Sequence, residues 1–221
     1  MRENTRIFGL VAALSLFASG CHEAEIHYEN ALIEEPVDSM TVDVGSGDII
    51  LRGDEVSSVT VEARIEGPSN HLGHDLQDGH LTLFDDCNDD HCSVDVSVLV
   101  PEAIWIALRT GSGDIEVQRT RGALVLRTGS GDIAGSSVLG VDLDAETGSG
   151  DVALAVPGEI GRVLVKTGSG DVDLDVPSGS YRLSVSTGSG DREMHGVASA
   201  TDAAGSIQVR TGSGDVVIRG H

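Results

Sequence analysis

The pentapeptide TGSGD occurs six times in the 221 residues, and a seventh copy reads VGSGD. Aligned on the aspartate, the copies stand at Asp48, Asp114, Asp132, Asp151, Asp171, Asp191 and Asp215. The last five intervals are 18, 19, 20, 20 and 24 residues. The first is 66, room for three units if two have lost the motif. A recurrent spacing near 20 restricts the chain to a stack of like units, because a unit that short cannot bury a face alone.

The residues flanking the motif say what each unit is made of. IALRT, LVLRT, VLVKT and IQVRT precede it, and DIEV, DVAL, DVDL and DVVI continue from it. Apolar and polar residues alternate, as with Val163 and Val165 before one turn and Val172 and Leu174 after it. Period two describes strands with one buried face. Each unit therefore reads as strand, GSG turn, strand and a second turn, often with Pro or Gly as in VPGEIG and VPSGS. No stretch sustains a capped 3.6-residue pattern, so no helix is expected beyond the N-terminal segment.

Two all-β folds suit this pattern. In an antiparallel β-sandwich the GSGD turns would close hairpins. In a β-solenoid, β-helix-like, each unit of about 20 residues is one coil and like residues stack at about 4.8 Å. Only the solenoid turns a repeated pentapeptide into a column of stacked GSGD turns, so the solenoid is expected. Its glycines would then take unusual φ values and let neighbouring coils approach.

Composition narrows the function classes. The net charge of −22 argues against nucleic acid as a partner. Aromatics make up 3% against 29 glycines, a balance suited to short strands and many turns. Lys166 is the only lysine.

The N-terminus reads as a targeting segment. Arg2 and Arg6 form a basic stretch before an apolar run, Ile7 to Phe17, that is too short for a convincing membrane span. ASGC at Ala18 to Cys21 resembles the lipobox of bacterial lipoproteins, with Ala18 where leucine is usual. That resemblance implies cleavage after residue 20, a signal peptide over 1–20 and lipid on Cys21; an ordinary signal peptide is the alternative. Lipid would anchor the chain to a membrane. Residues 21–39 then read as the lipidated cysteine and an acidic tether, and 40–221 as the repeat domain. The expected location is the bacterial cell envelope, facing the periplasm or the exterior. His22 after the cysteine suits an outer membrane if the cell is Gram-negative.

The repeated motif supports several chemical readings unequally. A phosphate loop wants a lysine and a following helix, but here a strand follows and an aspartate would repel the anion. A nucleophile elbow is not matched, and seven equivalent serines point to a scaffold. A column of carboxylates would attract hard cations, and Ca²⁺ is the serious alternative. Yet the motif departs from the nine-residue calcium repeat in period and in the place of its aspartate. Local hydrogen bonding from Ser and Asp to backbone is the simpler expectation. Asp43, Arg109, Arg127, Glu146, Lys166, Ser186 and Arg210 precede the motif's first residue, and this largely basic column is expected to offset the aspartates.

Residues 67–95 break the pattern as an irregular insert. His71, His74, His80 and His91 stand near Asp85, Asp86, Asp89, Asp90, Cys87 and Cys92, and are candidate transition-metal ligands. With Cys21 lipidated, Cys87 and Cys92 are left to pair, and their disulfide is the favoured reading in an oxidising compartment. Trp105 is out of phase with Ile104 and Ile106, as a contact residue or a cover for a coil edge. Tyr181 reads as packing. Only VVIRGH follows the last TGSGD's aspartate, so the end of a stack in chain order would need a cover: His221, an envelope protein or another copy.

TGSGDI and TGSGDV units between alternating strands resemble the bacterial putative-adhesin family of β-strand repeats over roughly residues 40–220. The resemblance implies a β-helix-like fold outside the cytoplasm and supplies no catalytic residues. The expected function is a non-enzymatic, lipid-anchored envelope protein presenting an acidic β-solenoid for structural or adhesin-like interaction. The alternatives are a cation-binding envelope protein and a polysaccharide-active β-helix enzyme. The enzyme would need one unique pair of carboxylates among sugar-stacking aromatics.

Overall fold

A computed structural model describes residues 25–67, 71–87 and 92–221. It is all-β, without helix among the described residues. The N-terminal part holds β1 (Ile26–Ile33), β2 (Ser39–Ser46), β3 (Ile49–Asp54), β4 (Val59–Glu66), β5 (Leu72–Gln77), β6 (His80–Asp85) and β7 (Ser93–Pro101). Then come β8 (Trp105–Ser112), β9 (Ile115–Thr120), β10 (Leu124–Ser130), β11 (Ile133–Val138), β12 (Asp142–Ser149) and β13 (Val152–Ala155). The C-terminal part adds β14 (Arg162–Ser169), β15 (Val172–Val176), β16 (Gly179–Ser189), β17 (Arg192–His195), β18 (Val197–Ser199), β19 (Ser206–Ser213) and β20 (Val216–Gly220).

These strands form two mixed sheets of ten strands, one on each side of the core. Every GSGD turn carries the chain from one sheet to the other, so a motif-bearing coil contributes one strand to each. Neighbouring coils pair in parallel and in exact residue register. Leu124 lies beside Ile106 and Leu143 in one sheet, and Ile133 beside Ile115 and Val152 in the other. The alternation in the sequence points these columns inward, and each of these six side chains is buried. Burial of one such aliphatic side chain contributes about 1.5–3 kcal/mol. Parallel pairing of the repeats replaces the hairpins that an antiparallel sandwich requires, and the architecture is solenoid-like.

The stack does not follow chain order at either end. In one sheet the order runs β14–β19–β16, and in the other β15–β20–β17. The last repeat is therefore interior, with Ile207, Val209, Val216 and Ile218 buried, and the preceding repeat covers it. This corrects the expectation that the final TGSGD coil stands open. The covering coil has the composition of an end cap, because REMH replaces the usual Ile or Val after the motif and β17 is exposed throughout.

At the opposite end the 66-residue interval contains one coil without the motif, not two. It comprises β6 and β7, and β2 and β3 sit between it and the β8–β9 coil. Antiparallel additions close this end: β4 on β7, β1 on β4, and β5 on β6. The stretch read as an acidic tether thus contains an eight-residue edge strand, β1, since IHYENALI alternates along its length and ends on the buried Ile33. Much of the insert is likewise regular, as β5, β6 and the start of β7.

Candidate functional site

The motif residues lie on the edge where the chain crosses between sheets, and their polar groups face the neighbouring coil. The Oδ1 of Asp114 accepts the backbone N–H of Asp132 at 2.7 Å. Asp132 does the same for Asp151 at 2.7 Å, Asp151 for Asp171 at 2.8 Å, and Asp171 for Asp215 at 2.7 Å. Asp215 accepts from Asp191 at 2.7 Å, and Asp48 from Asp114 at 2.8 Å. The coil that lacks the motif supplies Asp95, whose Oδ1 accepts the Asp48 N–H at 3.1 Å. The seven predicted aspartates therefore lie in one continuous ladder.

A second ladder runs beside it. The hydroxyl of Thr128 donates to the Gly113 carbonyl at 2.9 Å, and Thr110, Thr147, Thr167, Thr187 and Thr211 repeat the contact at 2.9–3.0 Å. The copy with valine in this place, Val44, is the one that stacks against the motif-less coil. There no GSG carbonyl stands opposite.

Both glycines are required by the same stacking. At Gly131 φ is +159°, and an added Cβ would lie 2.0 Å from the Gly113 carbonyl oxygen. Gly129 needs no unusual φ, yet its Cβ would meet the Gly111 oxygen at 2.5 Å. The first glycine is thus fixed by close approach alone, and the second by approach and conformation together.

The largely basic column exists in register but does not face the aspartates. Arg127 reaches Asp144 at 2.9 Å and Glu146 at 3.7 Å, and Lys166 reaches Glu146 at 3.6 Å. Among the described residues no ion pair joins a motif aspartate. Neighbours across strands on one sheet face are closer than residues separated by the turn, so the column pairs laterally. The expected offset of the ladder by this column is corrected accordingly.

Cys87 and Cys92 form a disulfide, with Cα atoms 5.7 Å apart, where β6 passes to β7 in place of a GSGD turn. Cys21 and His91 lie outside the described residues. The other three histidines proposed as ligands do not converge. His74 is exposed on β5. His80 binds the Ser39 hydroxyl at 2.7 Å and the Thr41 hydroxyl at 3.2 Å, with the Trp105 ring 6.4 Å away. His71 instead meets two residues from the supposed tether, His27 and Glu29. Its Nδ1 lies 2.6 Å from Glu29 Oε1, and the two imidazole rings stand edge to face at 5.9 Å. The signal for this cluster was the alternation in IHYE, which places His27 and Glu29 on one face of a strand.

Trp105 is 41% exposed, whereas Tyr181 is buried and its hydroxyl donates to the Pro177 carbonyl at 2.7 Å. Burial raises the Tyr181 pKa.

The family model described as Toastrack DUF4097 matches residues 34–219. No match is found among curated proteins. Among solved structures, a "putative cell adhesion protein" from Clostridium sporogenes is 13% identical, with a TM-score of 0.52 over 89% of this chain and 100% of its own. A "putative adhesin" from Parabacteroides merdae is 13% identical, with a TM-score of 0.35 over 88% and 96%. A "putative lipid binding protein" from Parabacteroides distasonis gives 13% and 0.35 over 87% and 96%.

Proposed function

We propose that this chain, which belongs to the Toastrack DUF4097 family, is a non-enzymatic protein of the bacterial cell envelope. In this reading lipid on Cys21 holds it to a membrane, and the stack presents its acidic flanks for structural or adhesin-like contact. The observation that carries the reading is the double ladder. The residues that recur most conspicuously are engaged in holding coil to coil, not in forming one unique reactive centre. Catalysis on a polysaccharide would require a singular pair of carboxylates, whereas the motif carboxylates are equivalent along the stack. The adhesion name of the Clostridium sporogenes protein agrees with this reading.

The test has two arms. Cys21→Ser is expected to move the protein from the membrane fraction to the soluble fraction. Deleting the gene is expected to change cell attachment or envelope integrity without changing glycan turnover. Membrane retention of the Cys21→Ser protein would remove the lipid anchor from the account. Glycan cleavage by the purified protein would replace the non-enzymatic reading with the enzymatic one.

A cation-binding role is the second reading. It is favoured by the second oxygen of each motif carboxylate, which the ladder does not use. The engaged Oδ1 atoms argue against a dedicated calcium cage, which draws on six to eight oxygens.

A further inference from the structure

We propose that His27, Glu29 and His71 form a site for one divalent transition-metal ion of the zinc type, tying together the outer edges of the two sheets. His27 and Glu29 alternate on β1, the edge strand of one sheet, so both project from the same face. His71 leads into β5, the edge strand of the other sheet. One ligand atom from each residue lies within 4.8 Å of the other two.

The distances suit a metal with small rotations. A tetrahedral ion with bonds of about 2.0–2.1 Å holds its ligand atoms about 3.3 Å apart. His71 Nδ1 is 2.6 Å and His27 Nε2 is 3.9 Å from the same carboxylate oxygen, Oε1 of Glu29. One gap has to open and the other to close by less than an ångström. The remaining carboxylate oxygen accepts the Leu72 N–H at 3.2 Å, and the His71 carbonyl accepts the Asp86 N–H at 3.1 Å. These bonds fix the carboxylate and the His71 backbone before any ion arrives, as outer contacts do in metal sites.

The donor set also selects the ion. Two imidazoles and one carboxylate suit zinc and its neighbours, whereas calcium and magnesium prefer oxygen alone. The disulfide removes Cys87 and Cys92 as thiolate competitors.

The experiment is calorimetric titration of the purified full-length protein with zinc chloride, in about 0.15 M salt to screen the general acidic field and with excess Mg²⁺. One equivalent is expected to bind, with affinity falling at least about tenfold in His27→Ala and in His71→Ala. His74→Ala is expected to bind like the unaltered protein. Because His71 is 67% exposed at its side chain, metal-free His71→Ala should melt like the parent, and Glu29→Gln offers a third, nearly isosteric test. Cobalt substitution should give visible bands of a tetrahedral nitrogen–oxygen site that are lost in the same variants. Absence of stoichiometric zinc binding, or binding by His27→Ala and His71→Ala as tight as that of the unaltered protein, would overturn the proposal.

Discussion

The carboxylate of Asp132 accepts the backbone N–H of Asp151 at 2.7 Å, while the N–H of Asp132 itself is held by Asp114. Each motif aspartate inside the stack is thus acceptor to one neighbour and donor to the other. This accounts for an acidic residue recurring in a column of its own charge. Asp132→Ala leaves the Asp151 N–H without its acceptor and is expected to cost about 1–3 kcal/mol. Asp132→Asn keeps an oxygen in place and relieves repulsion, so its loss should stay below about 1 kcal/mol. Urea unfolding compares the two, and equal losses would assign the effect to charge.

The first glycine of the motif offers a matched pair. At Gly45 the nearest atom to an added Cβ is Asp85 Oδ2 at 3.4 Å, whereas at Gly129 it is a backbone oxygen at 2.5 Å. Neither has a left-handed φ. Gly45→Ala should change stability by no more than about 0.5 kcal/mol. Gly129→Ala should cost more than about 2 kcal/mol or prevent folding, since the coils would have to part. Thermal unfolding of both variants checks the contrast.

Arg127 holds Asp144, whose other oxygen is buried without a hydrogen-bond partner, and it also donates to the Leu126 and Asp144 carbonyls. Arg210 occupies the equivalent place three coils along and enters none of the described ion pairs. Arg127→Gln should therefore cost about 1–3 kcal/mol, and Arg210→Gln less than about 0.5 kcal/mol. Denaturant melts at low and high salt should narrow the first loss only in part, because Arg127 and Asp144 are partly shielded.

Tyr181 gives a pH dependence with a definite sign. Burial raises its pKa, so the folded state binds the phenolic proton more tightly than the unfolded state. The resulting stability is fully present below the unfolded value of about 10 and is lost as pH rises through the folded value. Stability measured between neutral and strongly alkaline pH should fall less steeply at the alkaline end in Tyr181→Phe. An unchanged slope would remove Tyr181 as the source.

The sequence showed the strands, the parallel stacking and the disulfide partners because each leaves a local trace: alternation, fixed spacing, cysteine count. Coil order left a fainter one. REMH after Asp191 in place of an Ile- or Val-led strand marked the exposed cap, and the 24-residue last interval allowed the return that places β19 and β20 inside. The pairing of Arg127 with Asp144 was illegible, because it depends on which coils become lateral neighbours. His27 and Glu29 were missed because acidic residues dominate their segment, although its period-two pattern was present.

The central claim, that the repeated turn is a stacking device, is tested most directly by thermal unfolding of the full-length protein after chelation, then with millimolar Ca²⁺ or Mg²⁺. Binding of an ion at each turn would raise the unfolding temperature steeply, as stabilisation adds RT ln(1 + [L]/Kd) per site. The ladder account predicts a small shift, equal for the two ions, from screening of the acidic surface alone. A large shift with Ca²⁺ and none with Mg²⁺ would contradict it and make the aspartate column a calcium site.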